Sequence, residues 1–131
     1  MSAPAARRAT LPPVADALDF AVPVIDPYGS VFRLLRGAEL PFSLFRVEDP
    51  SEVSGDAPFA ILGSYGKPDA AAVGELAARV PTVVYAVQVR ASDPAPLMRA
   101  SGYVNDHMPA GLVRDVILSA LAKIIVRAER A

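Results

Sequence analysis

At 131 residues the chain is the size of one domain, and 53% hydrophobic with 21% charged residues is the balance of a globular unit, not a disordered one. A formal net charge of −1 offers no global attraction to nucleic acid or to an anionic membrane, and no apolar run approaches the roughly 20 residues that span a bilayer. The absence of cysteine excludes a disulfide framework, a thiolate metal site and a cysteine nucleophile, and it fits a cytoplasmic protein.

The start, MSAPAARRATLPP, carries two arginines with no apolar stretch behind them, so it is not read as a signal peptide. Residues 1–16 are expected to form a flexible N-terminal arm and residues 17–131 a single domain. Arginine far exceeds lysine and alanine is abundant, the composition of a high-GC bacterial genome. DFAVPVID (19–26) predicts a strand, in which Pro23 disfavours a central place unless it stands at the strand start or a bulge. SVFRLLRGAEL (30–40) places Val31, Leu34, Leu35 and Leu40 at helical spacing, with Gly37 as a stop signal. FSLFRV (42–47) alternates as a strand does and runs into EDPSEVSGD, a loop rich in turn residues.

PFAILGS (58–64) predicts a buried strand, and KPDAAAVGELAARV (67–80) a helix whose start is marked by Pro68 and Asp69. TVVYAV (82–87) is the clearest strand signal, β-branched and apolar throughout. A short helix within 92–100 is limited by Pro94 and Pro96, SGYVN (101–105) predicts a short strand, and a long helix begins at Pro109. Strands alternating with helices imply an α/β domain with a parallel sheet covered on both faces.

Several of these segments resemble receiver domains of NarL/LuxR-type response regulators. GYVNDHMPAGLVRDVI (102–117) is similar to their last strand, loop and helix, and VIDPYGSVFRLL (24–35) to their first strand and helix. PFAILGSYGKP (58–68) and PTVVYAV (81–87) fall on the third and fourth strands, so the likeness covers residues 19 to 130 in order. It implies a flavodoxin-like, five-stranded parallel sheet in the order 2-1-3-4-5 with helices on both faces. It also implies a phosphoryl-accepting aspartate ending the third strand and two acids after the first to hold Mg²⁺. A Ser/Thr after the fourth strand and a lysine after the fifth complete the set. On this chain the acceptor falls on Ser64, or on Gly63 with a slip of one residue. The acid pair falls on Asp26 and Pro27, the Ser/Thr on Ala86 and the lysine on Asp106. Only Asp26 matches. A serine hydroxyl needs a base to act as nucleophile, whereas an aspartate is already ionised. The pattern therefore implies a pseudo-receiver that is no enzyme and needs neither cofactor nor metal.

Ser64, His107 and Asp26 or Asp106 also invite a hydrolase triad, but the G-x-S-x-G elbow is missing. The same histidine and acids are the one metal set on offer, and a lone loop histidine is a weak one. Tyr28, Gly63, Tyr65 and His107 would line a small-ligand pocket at the strand ends. In the final helix, Val113, Val116, Ile117, Leu121 and Ile124 form a sheet-facing stripe. Leu118, Ala122 and Ile125 form a second stripe, expected to be a homodimer interface unless the arm or the first helix covers it. The expected function is a phosphorylation-independent receiver-like regulatory and dimerisation domain of a bacterial transcriptional regulator. DNA would be reached only through a module outside this chain. A small-ligand sensor and a protein-interaction adaptor are the alternatives.

Overall fold

The structure, a computed structural model, describes residues 20–66, 68–87 and 99–130. The predicted arm and nearly all of the predicted helix within 92–100 lie outside the described residues. The described elements are β1 (Ala21–Ile25), α1 (Ser30–Gly37), β2 (Ser43–Val47), β3 (Ala60–Tyr65), α2 (Ala70–Arg79), β4 (Thr82–Val87), β5 (Gly102–Asn105) and α3 (Ala110–Arg130), with a 3₁₀ turn at Pro50–Glu52. All four strand pairings are parallel and the order is β2-β1-β3-β4-β5, the flavodoxin-like sheet expected from the sequence.

Successive residues of a strand face opposite sides of the sheet, which here builds two cores. On one side Val22, Val24, Ile61, Val83, Tyr85 and Val104 meet Val31 and Leu35 of α1 and Val113, Ile117 and Leu121 of α3. On the other, Ile25, Ala60, Leu62 and Val84 meet Val73 and Leu76 of α2 and Val80 just after it. A sheet covered on both faces requires strands without polar alternation, and β4 is buried along its whole length. Phe20, Phe42 and Phe59 interlock at the starting edge of the sheet with ring centroids 5.5–6.4 Å apart.

Pro23 stands in an internal strand, between β2 and β3, as the expected strand order implies and where a proline is disfavoured. The backbone explains why it is tolerated. Asp26 donates its N–H to Val47 of β2, so by alternation the nitrogen of Pro23 faces β3. The β1–β3 ladder begins only at Val24, paired with Ile61, and the missing donor falls before it.

Gly37 is the last residue of α1, but the left-handed residue that turns the chain is Glu39, at φ 54°. Leu40, expected on the helical face, lies beyond the helix and packs half-buried against the larger core. Asp69 caps α2 by accepting from Ala71 N–H at 3.0 Å. The loop after β2 is more ordered than its composition implied. Asp49 and Glu52 form a capping box around the 3₁₀ turn, and Arg79 of α2 donates to the carbonyls of Pro50 and Val53. Among the described residues no helix is long and apolar enough to cross a membrane.

Candidate functional site

The carboxyl ends of the parallel strands share one edge, and the register fixes what meets there. Ser64 pairs with Ala86, Ala86 pairs with Asn105, and Asp106 donates its N–H to the Ala86 carbonyl at 3.1 Å. Ile25 pairs with Leu62, which sets Asp26 beside Gly63. Asp26, Ser64, Ala86 and Asp106 are therefore gathered at one strand-end edge, with Pro27 directly after Asp26 and exposed.

Asp26 is fully buried, and every polar group it has is engaged. Its carboxylate accepts from Phe32 N–H at 2.9 Å, from Tyr28 N–H at 3.2 Å and from the Tyr65 hydroxyl. Its N–H donates to Val47, and its carbonyl accepts from Arg46 Nη1 at 2.8 Å. A buried ion is tolerable only when donors replace its water in this way. Burial pushes the carboxyl pKa up, but the Tyr65 hydroxyl and the N–H groups of Phe32, Gly29 and Tyr28 outweigh it, and the group sits below the usual aspartate range.

The same bonds organise α1. Its N-cap is Gly29, in the left-handed region at φ 89° and with no side chain to satisfy the first N–H groups. Asp26 takes Phe32 N–H from outside the helix, and Tyr65 Oη accepts from Val31 N–H at 3.4 Å. Tyr65 thus joins the end of β3 to the first turn of α1. Burial, and then the bond to the carboxylate, push its hydroxyl above the ordinary tyrosine range. The Tyr28 ring, 74% exposed, stands edge-on to Tyr65 with centroids 4.7 Å apart.

Gly63 shares a face with Tyr65, and its role is packing. A Cβ there would stand 2.8 Å from the Ile25 carbonyl oxygen and 3.2 Å from Val31 Cγ2. Ser64 faces the other way and donates its hydroxyl to the Gly66 carbonyl at 3.3 Å. His107 has a largely exposed side chain 3.9 Å from Asp106 Oδ1, and its N–H donates to Asn105 Oδ1 at 2.9 Å. The hydroxyl of Ser64 and the carboxylate of Asp26 thus bond to different partners, Gly66 on the one hand and Phe32, Tyr28 and Tyr65 on the other. Among the described residues no group of three His, Cys, Asp or Glu side chains is placed to hold a metal ion.

The second stripe of α3 is split. Leu118 and Ile125 are half-buried against the core that contains Val31 and Leu35 of α1, and Ala122 is exposed. One sheet-facing stripe and a neighbouring helix account for more of the apolar band than the sequence implied. Arg46 and the Tyr65–Asp26 bond escaped the sequence reading. The available signal was Gly63 two residues before Tyr65, a small residue clearing the same face for a long side chain.

The sheet order and the helices on its two faces give the chain a flavodoxin-like fold. A solved structure with that architecture is the signal receiver domain of a Vibrio parahaemolyticus protein described as a LuxO repressor. It superposes with a TM-score of 0.61 at 12% sequence identity, over 85% of this chain and 96% of that one. No protein-family model matches the chain. No curated protein matches it either.

Proposed function

We propose that this domain is a pseudo-receiver of the NarL/LuxR type, a regulatory and dimerisation module of a cytoplasmic bacterial transcriptional regulator that signals without phosphorylation. The observation that carries the reading is the state of Asp26, the one acid retained from the receiver pattern. Its carboxylate is committed to α1 and to Tyr65. Mg²⁺ favours six oxygen ligands in near-octahedral geometry, and one carboxylate already holding three donors is a poor start. Ser64 has a hydroxyl bonded to Gly66 in place of an ionised acceptor, and Asp106 would repel a phosphoryl group where a lysine would attract it. Output would come from association of a form already populated, through α3 and α1, with DNA contacted by a module outside this chain.

Mass spectrometry after treatment with acetyl phosphate and Mg²⁺ tests the reading. An unmodified mass is expected, and a stoichiometric adduct at Ser64 or Asp26 would overturn it. The exposure of Tyr28 over Tyr65 favours a second reading, a sensor of a small planar ligand at this edge. Ligand-dependent shifts of the Tyr28 ring resonances would support that alternative.

A further inference from the structure

We propose that Tyr65 is a built-in lock, whose hydroxyl holds the end of β3 to the start of α1 and so fixes the α1 face in a single conformation without an added ion or phosphoryl group. The proposal rests on the pseudo-receiver reading above and names how that site is regulated. Three observations carry it. The first is reach: one side-chain oxygen bridges Asp26 Oδ1, after β1, and Val31 N–H, in the first turn of α1. The second is dependence, since the Gly29 N-cap supplies no side-chain acceptor and the first turn of α1 relies on Asp26 and Tyr65. The third is coupling. Gly66, directly after Tyr65, has a left-handed backbone at φ 94° and donates its N–H to Val87, so the turn leaving β3 starts from the locked residue and is tied to β4. The close approach of Val31 to Gly63 leaves α1 little freedom to slide while this bond is made.

Losing the hydroxyl while keeping the ring should free the first turn of α1 and leave the sheet intact. Amide hydrogen exchange of the whole chain, with and without Tyr65→Phe and in the absence of any phosphodonor, tests this. The expected result is a loss of protection at Val31 and Phe32 at least tenfold greater than any loss at β4, and Tyr28→Phe should leave the same amides as in the parent. A loss at Val31 and Phe32 less than tenfold greater than that at β4 would overturn the lock. Global unfolding of Tyr65→Phe would overturn it too, since the residue would then be a core element and not a local device. The pseudo-receiver reading fails separately, through a phosphoryl adduct on the parent protein.

Discussion

The hydroxyl of Tyr65 donates to the buried carboxylate of Asp26 across 39 positions of sequence, joining the ends of β3 and β1. The acid that the receiver pattern would give to a metal ion is here a structural cap. Removing one donor from a buried, ionised acceptor leaves that acceptor partly unsatisfied, at a cost of about 1–3 kcal/mol. Tyr65→Phe should lower the stability of the domain by that amount in urea unfolding, with an unchanged denaturant slope.

The pH dependence of that difference follows from the two groups. Asp26 is depressed in the fold, so its contribution is present above the unfolded aspartate pKa of about 4 and is lost as pH falls through the folded value. Tyr65 is raised, so its contribution is fully present below the unfolded tyrosine pKa of about 10 and is lost as pH rises through the folded value. The stability gap between parent and Tyr65→Phe should therefore be widest between about pH 5 and 9 and shrink on both sides. Unfolding measured across that range checks it, and a gap that stays constant down to about pH 2 would contradict the assignment.

Gly63 and Ser64 are neighbours with opposite expectations. Alanine at 63 would set its Cβ 2.8 Å from a backbone oxygen, which cannot swing aside as a side chain would. Gly63→Ala should destabilise by about 1–3 kcal/mol and displace the first turn of α1, visible as amide shifts at Val31. Ser64→Ala loses only a long bond to Gly66 and should cost about 0.5–1 kcal/mol, leaving the response to phosphodonors as in the parent.

The sheet was legible because its strands are punctuated locally. The β-branched run 82–87 forms β4 over the expected residues, and Asp69 starts α2 as its residue type suggests. The convergence of Ser64, Ala86 and Asp106 was legible too, since it follows once strand order and register are known. What stayed hidden were bonds between strand ends. Tyr65 reads locally as a loop residue after a glycine, and nothing near it in sequence names Asp26 as its acceptor. Arg46 alternates as an exposed residue of an edge strand, yet its guanidinium reaches the Asp26 carbonyl. Whether the missing donor of Pro23 matters depends likewise on where the neighbouring ladder begins, which no local sequence signal marks.

The last expectation concerns association. Leu34 on α1 and Val126 on α3 are each close to half exposed, and Ala122 is exposed on the stripe whose other members, Leu118 and Ile125, are already half-buried in the fold. A self-association surface on these helices must therefore be built from Leu34, Ala122 and Val126 more than from Leu118 and Ile125. A Kd on the order of 10 µM is a net of about −7 kcal/mol. At about 25 cal/mol per Å², these side chains would have to be the centre of a patch that buries about 300 Å² of apolar area beyond what offsets the association cost. A dimer with a Kd in the micromolar range, on the order of 10 µM, is the expected outcome, and it should form without any phosphodonor. Replacing Leu118 with a charged residue would confound folding with association, so Ala122→Glu and Leu34→Glu are the informative changes. Both should leave the circular dichroism of the domain intact and yield monomers by light scattering. A parent protein that is already monomeric at several hundred micromolar, well above the expected Kd, would rule out self-association through this face.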